Sequence, residues 1–173
     1  ASAKEAVLAA NSFPVLVTTG DHALLTVEMV HDFVKQSQTS KADFCVGLAT
    51  AETILATYPE TDRTFFKLGP DRVSGCNLFA VLSPAGLKLF DVWSDMEKNR
   101  KKLWKLVAAF GIMPLLKFLL GKMTLQSAFA EMSRRLGFQI SPILLPFAEA
   151  AIDVDKPSDH ALAELIIRKR MTP

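Results

Sequence analysis

Short apolar runs alternate along the chain with stretches in which apolar residues recur at helical spacing. Pro14-Val15-Leu16-Val17-Thr18-Thr19 is mostly β-branched and apolar and is followed by Gly20, which predicts a strand buried on both faces. Thr26 is a good N-cap, and Met29, Val30, Phe33 and Val34 share one face of a helix predicted over 27–38. Phe44, Val46 and Leu48 alternate within a second predicted strand over 42–49, and a short helix over 51–58 is stopped by Pro59. Residues 64–68 read as a strand, Gly69-Pro70-Asp71 as a turn and 73–82 as the next strand. Ser83-Pro84 opens a helix, with Ser as cap and Pro at its first position. Residues 85–136 are mainly helical by pattern, broken near Gly111, Pro114 and Gly121; a strand over 138–145 and a helix over 160–170 close the chain. Strands alternating with helices predict an α/β fold: a mostly parallel, Rossmann-like sheet with flanking helices, right-handed crossovers and a helical insertion at about 85–136.

Composition narrows the class. Half of the 173 residues are apolar and 22% are charged, so the chain can bury the core of a single domain over 1–173, and disorder is excluded. Twenty Lys and Arg stand against 18 Asp and Glu, a near-neutral balance that argues against a nucleic-acid partner. Cys45 and Cys76 lie in strand-like runs without metal-ligand spacing, and both are expected to pack as small buried groups in a reducing, cytoplasmic setting. No apolar signal segment opens the chain, which starts at Ala1 in a helix predicted to run toward Asn11; such a start is expected of a processed chain or of a piece of a longer one.

Candidate chemistry gathers at two places. Gly20-Asp21 follows the first strand, and in open α/β sheets ligands bind outside the carboxyl ends of strands. Asp21 is therefore a candidate to hold a metal ion or a hydroxyl, the alternative being an ordinary turn Asp. Ile152-Asp153-Val154-Asp155 reads as a second strand end, where alternation puts Asp153 and Asp155 on one side. Neighbouring carboxylates repel, so a divalent cation is their natural partner. The alternative is that Asp155, Ser158 or Asp159 caps the last helix, a role Asp159 fits best. Arg63 precedes the strand at 64–68 and Lys67 lies near its end, and Lys98, Arg100, Lys101, Lys102 and Lys105 form a basic cluster that opens the apolar stretch 103–120. Lys105, Lys117, Gly111 and Pro114 argue against a spanning helix there. Two short helices packed on the sheet, at a dimer surface or in a membrane interface are expected instead.

Three segments carry a resemblance. Val15-Leu16-Val17-Thr18-Thr19-Gly20-Asp21-His22-Ala23-Leu24-Leu25-Thr26 resembles the central acidic motif of the MobA-like nucleotidyltransferases. Ser74-Gly75-Cys76-Asn77-Leu78-Phe79 resembles the strand whose Gly and Asn face the acceptor, and Ile152-Asp153-Val154-Asp155-Lys156-Pro157-Ser158-Asp159 resembles the closing motif before the last helix. The order and distances match over roughly residues 10 to 170. The resemblance implies transfer of a nucleotidyl group from an NTP to a phosphorylated or hydroxylated acceptor, small or lipid-linked, with release of pyrophosphate. It implies catalytic Asp21 and Asp155 on one Mg²⁺, Asp153 as a supporting group behind them or an alternative ligand, and Gly75 and Asn77 facing the acceptor, the alternative for Asn77 being a structural strand-end residue. From the residues themselves, Gly20 allows close backbone approach, and His22 beside Asp21 is a candidate substrate contact or a solvated loop residue. Lys67, Arg100 and Lys101 are candidates to meet an anionic substrate, the alternative for the basic cluster being a solvated helix face. The family's Gly-rich phosphate loop has no counterpart before Asp21, because the first glycine is Gly20; the chain is then expected to be the C-terminal two thirds of such a domain, with 98–123 as a basic and apolar insertion. The rival expectation is a non-catalytic α/β module that docks on a partner or bilayer through 103–120. On the interfacial reading, 98–122 touches the inner membrane face and the protein is peripheral there; otherwise it is cytoplasmic, with a homodimer expected through the apolar helices.

Overall fold

A computed structural model describes residues 3–61, 63–92 and 120–171. The chain runs α1 (Ala3–Ala10), β1 (Val15–Thr18), α2 (Val27–Thr39), β2 (Phe44–Thr50), α3 (Ala51–Thr57), β3 (Phe66–Leu68) and β4 (Asp71–Val81). A 3-10 turn, Pro84–Leu87, follows, then α4 (Leu125–Leu136), β5 (Ile140–Leu144), a second 3-10 turn, Ala148–Ala151, and α5 (Pro157–Met171). Local chemistry sets several of these bounds. Thr26 caps α2 by accepting from Met29 N–H, Thr50 caps α3 through Thr53 N–H, and Ser83 accepts from Ala85 N–H at the Pro84 turn. Gly137 ends α4 in the left-handed conformation, φ 73°.

The sheet order is β1-β4-β2-β5, with β3 also on β4. The sequence pattern predicts a mostly parallel sheet, and the observed one is mixed and mostly antiparallel. β4 runs antiparallel to β1, β2 and β3, and only β2 and β5 pair in parallel. The reason lies in one turn. Leu68 pairs with Asp71 across Gly69-Pro70, and this two-residue hairpin needs a positive φ at its first position, which Gly69 supplies at 59°. β4 is thereby reversed against β3 and inserts between β1 and β2, which otherwise run the same way. β1 also departs from expectation: its residues alternate between half-buried and exposed, because among the described residues it lies at the sheet edge and pairs with β4 alone.

Helices cover both faces. On one, Met29 and Phe33 of α2 and Ile54 of α3 pack on Cys45, Ala49, Cys76, Leu78 and Ala80. On the other, Val7 of α1 and Phe129, Met132 and Leu136 of α4 meet Phe44, Val81 and Ile140. Ala163 and Ile166 of α5 close over Leu24 and Ile152, which fixes the loop after β1 to the segment before α5. Both cysteines are buried. No helix among the described residues is long and apolar enough to cross a membrane. The basic cluster 98–105 and all of the 103–120 stretch except Leu120 lie outside the described residues, and Leu120 itself is exposed.

A Cβ on Gly69 would lie 2.9 Å from the Gly121 carbonyl oxygen, in addition to its unfavourable φ. Gly69→Ala should therefore lower stability by about 1–3 kcal/mol. Urea unfolding reads this directly, and an unchanged midpoint would remove the conformational argument.

Candidate active site

Asp21 sits in the turn after β1, and Asp153 and Asp155 lie in the non-strand segment between the second 3-10 turn and α5. The predicted strand at 152–155 is not formed. One main-chain bond joins the two segments: Val154 N–H donates to the Asp21 carbonyl at 3.1 Å. As a result, one carboxylate oxygen from each of Asp21, Asp153 and Asp155 lies within 4.8 Å of the others. Thr19 Oγ1 donates to Asp21 Oδ1 and orients that carboxylate. Asp159 is engaged in capping, its Oδ2 accepting from Asp155 N–H at 3.2 Å and Lys156 N–H at 2.9 Å. These bonds hold the backbone of Asp155 at the entrance to α5.

The cleft beside the carboxylates is a breach in the sheet. β3 pairs with β4 through Asp71–Val73 and β1 pairs through Leu78–Val81, both on the edge of β4 opposite β2. Among the described residues, Ser74, Gly75, Cys76 and Asn77 are left without a strand on that edge. Opposite them the β2 register shifts between Val46 and Leu48, so three residues of β4 face Gly47 alone. The extra length is absorbed at Asn77, which takes φ 48°, a strained conformation of the kind found at bulges that re-aim a side chain. A cleft of about 290 Å³ results, with Arg63, Phe66, Gly75, Asn77, Asp153 and Asp155 in its lining.

Asp153 is held on both sides. Arg63 Nη1 is 2.5 Å from its Oδ1, and Asn77 Nδ2 donates to its Oδ2 at 3.1 Å. Burial pushes this carboxyl up, but the Arg63 hydrogen bond and charge, with Asn77, hold it below the ordinary carboxylate value. Asp153 is thus ionised and already partnered, whereas Asp155 is exposed. The neighbouring Cys76 thiol is pushed up to about 12 by burial, so it remains a neutral packing group.

His22 turns inward and is neither solvated nor in the cleft. It is 7% exposed, with Nδ1 3.3 Å from Thr18 Oγ1. Burial lowers its pKa, opposed by the Ala150 backbone and by Asp153 and Asp21, and Nε2 is buried without a well-formed hydrogen bond. Gly20 is exposed beside Asp21 and Lys67 is exposed on β3, away from the cleft lining. Gly75 and Asn77 lie in the lining with the carboxylates; Arg100 and Lys101 lie outside the described residues. The Arg63–Asp153 pair escapes sequence reasoning because ninety positions separate its members and no local pattern connects them. Phe66, Thr64 and Ser74 also line the cleft, and none carries a signal of its own; they follow from the hairpin register.

The fold is similar to that of a hypothetical transferase structure from Thermus thermophilus, with a TM-score of 0.76 and 29% sequence identity. The similarity covers 90% of this chain and 66% of that one, so the chain spans just under two thirds of that protein's length. No protein-family model matches the sequence, and no curated protein matches it.

Proposed function

We propose that the protein is a metal-dependent transferase that moves a nucleotidyl group from an NTP to a phosphorylated or hydroxylated acceptor. The observation that carries this reading is the convergence of Asp21, Asp153 and Asp155 within 4.8 Å, beside a sheet breach, on a fold shared with a hypothetical transferase. An all-carboxylate donor set suits a hard cation such as Mg²⁺, which favours one or two carboxylates and completes its shell with substrate oxygens. Asp21 and Asp155 would hold the ion, and Asp153, occupied by Arg63 and Asn77, would orient the pair. When bound, Mg²⁺ neutralises phosphate charge as it is redistributed in transfer.

The chain's own groups then position the acceptor. Gly75 has open space where a Cβ would stand, so a substrate can approach the β4 backbone closely. The Asn77 amide N–H bonds Asp153, which leaves its carbonyl oxygen to accept from an acceptor hydroxyl. The acceptor oxygen forms a bond to the α-phosphorus, and the bond from that phosphorus to the oxygen bridging to the β-phosphate breaks. Pyrophosphate leaves with the electron pair. A hydroxyl acceptor releases its proton to solvent, and an ionised phosphate acceptor has none to lose.

Asp21→Asn and Asp155→Asn should each abolish Mg²⁺-dependent pyrophosphate release in the full-length protein, while Asp153→Asn should slow it about 10–100-fold, as for a group that orients a metal ligand. Magnesium titration calorimetry alongside the turnover assay separates lost binding from lost folding. Wild-type turnover in Asp21→Asn and Asp155→Asn would sink the assignment.

A further inference from the structure

His22 is a buried polar side chain that the transfer chemistry above does not use. It is 7% exposed and follows Asp21 directly. Its Nδ1 lies 3.3 Å from Thr18 Oγ1. Thr18 is the last residue of β1 and pairs in register with Leu78 of β4, next to the Asn77 bulge. The Ala150 main chain, in the second 3-10 turn, faces the ring as a hydrogen-bonding partner, yet Nε2 is enclosed without a well-formed bond. The charges of Asp153 and Asp21 both reach the ring. The imidazole therefore stands between the two segments that carry the carboxylates: the loop after β1, and the chain that leaves the 3-10 turn toward Asp153 and Asp155.

Burying an imidazole costs free energy that an apolar side chain of similar size would avoid, so filling space does not account for it. The ring adds a flat, rigid body with polar atoms at two fixed points. The main-chain bond from Val154 to Asp21 joins the two segments at one point, about which either can turn. The packing of Leu24 on Ile152 is apolar and carries no direction. A directional contact to Thr18 restricts that turning. The restriction matters for Mg²⁺, which demands near-ideal geometry with oxygens at about 2.1 Å.

We infer that His22 is a positioning residue of the carboxylate site: its imidazole, set between Thr18 and Ala150, fixes the spacing of Asp21 from Asp153 and Asp155 without touching the ion. The inference rests on the metal reading above and adds to it the residue that holds the ligand-bearing segments in place.

Magnesium titration calorimetry on the full-length protein, with urea unfolding in the absence of Mg²⁺, tests this. His22→Leu fills the space and removes both polar atoms. Its Mg²⁺ affinity should fall about 10–100-fold, as when a group behind a metal ligand is lost. His22→Asn keeps an amide oxygen where Nδ1 stands, able to accept from Thr18, and should recover part of that affinity. Thr18→Val should also weaken Mg²⁺ binding, and should add little when combined with His22→Leu, because both break one contact. Wild-type Mg²⁺ affinity in His22→Leu, whatever its urea midpoint, would make the ring a packing group and overturn the inference. Equal losses in His22→Leu and His22→Asn, or full additivity with Thr18→Val, would overturn it too. Should His22→Leu fail to fold, Thr18→Val at the exposed end of β1 decides, and wild-type affinity there overturns the inference. A wild-type protein that binds no Mg²⁺ would instead remove the metal reading itself, and this inference with it.

Discussion

Arg63→Met should cost the folded state about 3 kcal/mol near neutral pH. The pair it breaks is largely enclosed, with Arg63 12% and Asp153 19% exposed as side chains, and removal of one partner of a buried ion pair leaves an uncompensated charge. The pH dependence follows from the direction of the Asp153 shift. In the wild type its folded pKa lies below the ordinary 3.8, so the stabilisation is fully present above that value and is lost as pH falls through the lower folded one. In Arg63→Met burial dominates and the folded pKa rises above 3.8; the variant then regains stability as acid neutralises the stranded carboxylate. The gap between the two proteins should therefore close on acidification, and urea unfolding at pH of about 7 and about 4 measures it. A gap equal at both pH values would show that Arg63 acts through packing. Adding Asp153→Asn to Arg63→Met should recover part of the loss, because no charge is then left unpaired.

Phe33→Ala should cost about 3–5 kcal/mol and lower Tm by roughly 6–20 °C. Phe33 is fully enclosed, and its ring sits 3.4 Å from where a Gly47 Cβ would stand, next to Leu78. It fills the space that Gly47 leaves beneath the β2–β4 register shift. The truncation therefore empties the layer that supports the Asn77 bulge as well as the core. Scanning calorimetry checks the number, and a Tm within about 3 °C of the wild type would mean that the core had closed over the void.

Much of the fold is legible in the sequence because its signals are local. Thr26 and Ser83 announce helix starts through side chains that accept from the next turn, and Gly69-Pro70-Asp71 announces a turn. Strand direction is not local. The β-branched run at 15–18 reads as a doubly buried strand, yet it is a half-exposed one, because β4 inserts beside it and no helix covers its outer edge among the described residues. The same holds for the site. Asp21, Asp153 and Asp155 are visible one by one from their places after apolar runs, and so is the pairing of the last two. Missing from the sequence is the partner each residue finds: Arg63 and Asn77 for Asp153, and a buried face rather than a ligand for His22. Those follow from register and from a bulge that no window of residues contains.

The gap between β3 and β1 has a consequence for how recognition can change under mutation. Among the described residues, four of β4, Ser74 to Asn77, present an edge that no strand covers, so a ligand seated there would meet main-chain donors and acceptors as well as side chains. Main-chain groups survive every substitution except proline. On the proposed function, part of the binding contact would then be written into topology and stay constant under substitution at Ser74, Cys76 and Phe66. Drift at those side chains should retune which molecule is preferred without removing the capacity to bind one.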